Sequence, residues 1–174
     1  MRLLLVGAAS LFPLARLAWG LYRGSLGANH VEVVTHTTGD WALNLLLTTL
    51  AITPVARLTR DNRWLKARRA IGLYSFLYAL LHFLTWLVLD KGLDLNDMLK
   101  DVVKRRFITA GFAALCLMLP LAITSTDGWI RRLGSRWGKL HRLIYPAALL
   151  AVVHYLWLVK ADRSRPLTYM AVLG

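Results

Sequence analysis

Ala70-Ile-Gly-Leu-Tyr-Ser-Phe-Leu-Tyr-Ala-Leu-Leu-His-Phe-Leu-Thr-Trp-Leu-Val-Leu89 holds one side chain, His82, that changes charge near neutral pH, and no acid, lysine or arginine. A bilayer core is about 30 Å thick and takes ~20 apolar residues to cross as a helix, so this stretch has the length of a membrane span. The rest of the chain repeats the pattern. Segments Leu3–Tyr22, Thr38–Ala56, Phe107–Thr124 and Leu140–Val159 approach or reach the same length. With 57% hydrophobic residues and a mean hydropathy of +0.49 over 174 residues, the chain has more apolar surface than a soluble domain of this size can hide. The expected fold is all-α: an integral membrane helical bundle of five complete spans plus a partial sixth, with residues 1–174 as a single domain. The sixth segment begins near Leu167, and the stretch from Pro166 to Gly174 is too short to span. No repeat with a convincing period and no low-complexity tract is evident.

The first segment opens like a secretory signal, with Arg2 before Leu3–Phe12. Its apolar run continues past Pro13 and holds Arg16 and Trp19, which favours a retained helix. Arg16 is costly in lipid and is expected to snorkel, face the interior or meet an anion.

The net charge is +13. In a soluble protein that would point to nucleic acid, but no nucleic-acid-binding motif accompanies it, and the basic residues gather in short loops between spans. Membrane lipid is the expected partner of that charge, and nucleic acid is not. Arg57, Arg60, Arg63, Lys66, Arg68 and Arg69 face a single acid, Asp61, in one loop; Arg131, Arg132, Arg136 and Lys139 share another. The positive-inside rule makes these two loops cytoplasmic and, by alternation, the amino terminus as well. Between Asp90 and Arg106, the acids Asp90, Asp94, Asp97 and Asp101 recur at helical spacing among Leu95, Met98, Leu99 and Val102. A short amphipathic surface helix is expected there.

Imidazole is a common transition-metal ligand, and ionisable groups in hydrocarbon need a partner or a function. His82 lies about 18 Å beyond Ala70, and His154 about 21 Å beyond Leu140, at ~1.5 Å rise per residue. Both helices start from the same side, so the two imidazoles share a level and could clamp one haem iron axially, with the haem held between helices. Thr85 and Tyr155 are expected to fix the ring tautomers. His141 lies about 20 Å nearer the cytoplasm, level with a second haem, but about 140° out of phase with His154 on an ideal helix, with Pro146 between them. The matching position before His82 is Arg69. Arg68 and Arg69 are candidates for haem propionates rather than iron, because guanidinium stays charged. His141 has an interface role as its alternative. His36 reads as a helix-entry residue, His30 as a solvated loop residue, and Cys116 as a small buried apolar residue. The tryptophans Trp19, Trp41, Trp64, Trp129, Trp137 and Trp157 fall near segment ends, as an aromatic belt does. No C-x-x-C-H motif is present, so haem would be held non-covalently.

The stretches Gly24-Ser-Leu-Gly27, His36-Thr-Thr-Gly39, Ile52-Thr-Pro-Val-Ala-Arg57, Arg68-Arg-Ala-Ile-Gly-Leu73, Leu81-His82, Thr124-Ser-Thr126, Arg132-Leu-Gly134, Trp137, Leu140-His141 and His154-Tyr-Leu-Trp157 together resemble the MsrQ (YedZ) family. This is the haem-binding membrane subunit family of periplasmic methionine sulfoxide reductase systems, in the ferric-reductase-like transmembrane superfamily. The resemblance covers nearly the whole chain. It implies a bacterial inner-membrane protein that binds haem b through His82, His141 and His154. It further implies electron delivery to a periplasmic molybdenum-cofactor reductase subunit, from the quinone pool or a cytoplasmic flavin reductase, with flavin mononucleotide (FMN) as a further cofactor on no named residues. The residues alone leave two alternatives: a self-contained quinol-dependent haem oxidoreductase such as a metal reductase, and a small proton-relaying transporter subunit. No G-x-G-x-x-G follows a strand, so this stretch of chain has no dinucleotide site of its own and must borrow electrons.

Overall fold

The computed structural model describes residues 2–61, 64–159 and 169. All regular structure among them is helical, and the chain divides into two compact units, Met1–Asp94 and Leu95–Gly174. The first unit contains α1 (Arg2–Tyr22), α2 (His30–Thr59) and α3 (Leu65–Thr85), the last continued by a π-helical turn, Trp86–Asp90. α2 begins at His30, ahead of the apolar run at Thr38. Asn29 caps it by accepting the Glu32 backbone N–H. The hydroxyls of Thr35 and Thr38 donate to the carbonyls of Val31 and Val34, so this polar stretch closes its hydrogen bonds within the helix.

α2 and α3 run antiparallel and approach through small residues. Ser75, fully buried, donates to the Ala42 carbonyl at 2.8 Å, and a Cβ on Gly72 would stand 3.5 Å from Thr49, an ordinary contact. In lipid there is no hydrophobic gain from pressing two helices together, so close packing and interhelical hydrogen bonds hold them. Around this seam lies a core of Leu45, Ile52, Ala67, Ile71 and Tyr78, with Val6 and Leu14 of α1 packed against it.

Tyr78 ties α1 to that core. Pro13 has no N–H, and its ring disturbs the helix ladder where it sits. At that break the Tyr78 hydroxyl accepts the Leu14 N–H at 3.1 Å and donates to the Ser10 carbonyl at 2.8 Å, the two groups that an uninterrupted helix would join directly. Tyr78 is 0% exposed, and this bridge satisfies its hydroxyl as well as both backbone groups. Arg16, by contrast, is exposed on α1.

The second unit contains α4 (Leu95–Lys104), α5 (Arg106–Ile123), α6 (Asp127–Leu133), α7 (Ser135–Leu140), a 3-10 turn (His141–Leu143) and α8 (Ile144–Leu158). α4 is the amphipathic helix expected between Asp90 and Arg106. Its buried Asp101 pairs with Arg105 at 3.2 Å, while Leu95, Leu99 and Val103 are exposed in a stripe. α5 and α8 pack antiparallel. Ala110, Ala114, Met118 and Leu121 form the buried side of α5, at helical spacing. Cys116 falls on the opposite side and is exposed, which corrects the expectation that it is buried. Pro146 lies in the first turn of α8, where a missing N–H costs little, so it produces no mid-helix kink.

Four described helical stretches are long and apolar enough to cross a membrane: Leu4–Tyr22, His30–Thr59, Ala67–Asp90 and Arg106–Ile123. The fifth expected span is helical from His141 to Leu158 as a 3-10 turn followed by α8. The partial sixth lies outside the described residues, Tyr169 excepted. The chain is a multi-pass membrane protein. Replacing Tyr78→Phe should strand the Leu14 N–H and Ser10 carbonyl and cost about 1–3 kcal/mol in detergent unfolding. The loss should shrink when Pro13→Ala is added, since α1 can then close its own ladder; an equal cost in both backgrounds would refute the bridge.

Candidate functional site

His82 projects from the last turn of α3 toward α2. Its Nδ1 lies 2.9 Å from the Thr35 carbonyl oxygen. A carbonyl only accepts, so Nδ1 carries the proton, and in the neutral ring the lone pair is on Nε2. The ring rests against Gly39: a Cβ there would come within 3.0 Å of Nδ1 and 3.1 Å of Cε1.

His154 of α8 repeats this against α5. Its Nδ1 lies 2.6 Å from the Phe107 carbonyl oxygen, and a Cβ on Gly111 would fall 2.7 Å from Nδ1 and 3.0 Å from Cε1. In both units the carbonyl precedes its histidine by 47 residues, and the glycine lies one helical turn beyond the carbonyl. The chain therefore uses one histidine-holding arrangement twice, a repeat of geometry where composition suggested none. The Nδ1 partner that sets the tautomer of His82 is the Thr35 carbonyl and not Thr85, whose hydroxyl donates to the Leu81 carbonyl. The Nδ1 partner of His154 is likewise a backbone carbonyl, not Tyr155.

His141 is held differently. Its Nε2 lies 3.0 Å from the Thr124 hydroxyl, whose own proton is directed to the Pro120 carbonyl at 2.6 Å. Nε2 is then the donor, and Nδ1 holds the lone pair of the neutral ring. Trp137 stacks on the ring at 3.9 Å and anchors its indole N–H to the Thr124 carbonyl at 2.9 Å. The 3-10 turn at His141 winds through roughly 120° per residue rather than 100°, which shifts its phase relative to His154 from the ideal-helix value.

Arg68 donates to the Thr53 hydroxyl at 3.0 Å, and Arg69 is exposed. His36 faces Glu32 at 3.6 Å on the exposed side of α2, six residues inside the helix rather than at its entry, and His30 is its exposed first residue rather than a loop residue. Trp41 packs beside Tyr78, at 6.4 Å between ring centroids, and Trp137 on His141, so these two do more than mark an interface.

Among the described residues no three His, Cys, Asp or Glu side chains converge as a closed protein metal site would require. Haem makes no such demand, because the porphyrin supplies the equatorial nitrogens and the protein only axial ligands. Two imidazoles pinned through Nδ1–H, each with its Nε2 lone pair fixed in direction, match that donor chemistry. Gly39, Gly111, Thr124 and Trp137 were not singled out as site residues from the sequence; the equal spacing of Gly39 to His82 and Gly111 to His154 is the signal that marks the first two.

Residues 38–152 match the family model of the ferric reductase like transmembrane component. A protein of Xanthomonas axonopodis pv. citri named protein-methionine-sulfoxide reductase heme-binding subunit MsrQ is 48% identical over 98% of this chain and 81% of its own length. One of the same name from Herminiimonas arsenicoxydans is 49% identical over 95% of this chain and 78% of its own length. No solved structure matches the chain significantly. The fold and the match over most of its length define a ferric-reductase-like transmembrane protein, and within that class the chain belongs to the MsrQ family.

The histidine geometry predicts nitrogen-15 spectra of the cofactor-free protein in detergent. His82 and His154 should show the neutral Nδ1–H tautomer and His141 the Nε2–H tautomer. A single tautomer for all three would contradict the assignments.

Proposed function

We propose that this chain is a haem b-binding electron-transfer subunit of a methionine sulfoxide reductase system in the bacterial inner membrane, its amino terminus cytoplasmic. In this reading it takes electrons from the quinone pool or a cytoplasmic flavin reductase and hands them to a periplasmic molybdenum-cofactor reductase subunit, supporting repair of oxidised envelope proteins. The whole chain acts as one haem-binding membrane domain. The observation that carries the reading is the twice-used arrangement that turns Nδ1 of His82 and His154 to a helix carbonyl, which in the neutral ring puts the lone pair on Nε2. The names of the relatives support haem as the group bound and the reductase as the partner.

His82 and His154 would hold haem iron, each through Nε2. His141, held in the other tautomer, supplies a ligand through Nδ1 if a second haem is present. Bound haem supplies a one-electron iron couple. The chain's own residues fix ligand direction, bury the group among apolar side chains and so tune its potential. Arg68 and Arg69 are the propionate candidates: Arg68 is already oriented by Thr53, and Arg69 is exposed at the head of α3. FMN enters this reading through the family resemblance, with no residues assigned to it.

Purified protein should show sharp reduced b-haem bands. His82→Ala or His154→Ala should abolish the low-spin signal, and full haem retention in both would overturn these ligands. His141→Ala should remove at most a second haem, while unchanged haem stoichiometry would restrict it to an interface role. Electron transfer from reduced protein to the purified periplasmic reductase, absent with an unrelated acceptor, separates the subunit reading from a self-contained oxidoreductase.

A further inference from the structure

We propose that Gly39 and Gly111 are positioning residues for iron ligation: each opens a helix carbonyl to an imidazole N–H and thereby sets the tautomer and aim of His82 and His154. The inference rests on the haem-ligand reading above. A helix carbonyl points toward the carboxy-terminal end and already accepts the N–H four residues on, which leaves a second lone pair to offer. At Thr35 the Thr38 hydroxyl also comes within 3.1 Å of that oxygen but lies closer, at 2.8 Å, to the Val34 carbonyl. The side chain at the fourth residue stands beside that second lone pair. At Thr35 and Phe107 the residue in question is Gly39 and Gly111, and in each case an added Cβ would crowd the imidazole, at 3.0 Å from Nδ1 of His82 and 2.7 Å from Nδ1 of His154.

The two sites differ in tightness. At Gly111 the added carbon would lie 2.7 Å from Nδ1, 3.0 Å from Cε1 and 3.1 Å from Cγ, so the whole ring edge has to move and its 2.6 Å bond to Phe107 has to lengthen. At Gly39 the corresponding approach is 3.0 Å to Nδ1, relieved by a few tenths of an ångström. Gly72 is the internal control. It lies on the same α2–α3 seam, but its Cβ would meet Thr49 at 3.5 Å and no histidine. Simple loss of helix packing would not rank these glycines by their distance to an imidazole. Loss of ligand positioning does.

The test compares full-length wild type, Gly111→Ala, Gly39→Ala and Gly72→Ala in detergent. Readouts are haem affinity, the low-spin ferric electron paramagnetic resonance spectrum and the midpoint potential. Gly111→Ala should weaken haem binding ~10–100-fold, the range found when a ligand's outer partner is removed, and convert much of the spectrum to high spin. Gly39→Ala should shift the low-spin signal and potential with a smaller loss of affinity, and Gly72→Ala should match wild type. If Gly111→Ala does not accumulate in folded form, Gly39→Ala decides the matter by the same readouts. Wild-type spectra from Gly39→Ala, or a shift in Gly72→Ala as large as that in Gly39→Ala, would overturn the proposal. Haem loss in His154→Ala beside an unaffected Gly111→Ala would sink the glycine role alone, whereas a haem-free wild type would sink the ligand reading itself.

Discussion

An imidazole N–H placed in hydrocarbon must find an acceptor, and the acceptors on offer are carbonyls of a neighbouring helix. That constraint organises both units. A helix carbonyl has a second lone pair to give, but the side chain one turn on normally covers it. Removing that side chain at Gly39 and Gly111 lets His82 and His154 lie against the helix and donate through Nδ1. The proton that meets the carbonyl is the same proton that determines which nitrogen keeps its lone pair. Helix packing and ring tautomer are thus set by one contact.

The remaining polar groups of the helix pairs obey the same rule. Tyr78 closes the gap that Pro13 opens in α1, and Ser75 reaches the Ala42 carbonyl. Toward the other end of each pair, a hydroxyl takes the place of the carbonyl: Thr53 receives Arg68, and Thr124 receives His141. The chemistry available there differs accordingly. A guanidinium stays cationic and suits an anion, while the imidazole of His141 is neutral-capable but turned the opposite way from the other two.

Much of this was legible beforehand. Apolar run length identified the helical segments, though not all their starts, because crossing a bilayer fixes length almost independently of sequence detail. His82 and His154 stood out for the same reason, as ionisable groups in hydrocarbon. The start of α2 was hidden, since His30–Thr37 is polar and its helix depends on a cap and on threonine hydroxyls that bond backward. Cys116 was misplaced because a span that is apolar all round does not reveal which side is buried. Thr85 and Tyr155 were the legible candidates for holding His82 and His154, whereas Nδ1 of each ring bonds a backbone carbonyl, which no residue type announces. Only the matched glycine spacing carried that information.

The central claim is that His82 and His154 each donate Nδ1–H to a helix carbonyl and keep the lone pair of the neutral ring on Nε2. Pulsed electron paramagnetic resonance of the oxidised protein, with histidine labelled by nitrogen-15, reads it most directly. Each coordinated imidazole should show a remote protonated nitrogen in a hydrogen bond. Absence of any coupled histidine nitrogen, or coordination through Nδ1 at His82 or His154, would contradict it.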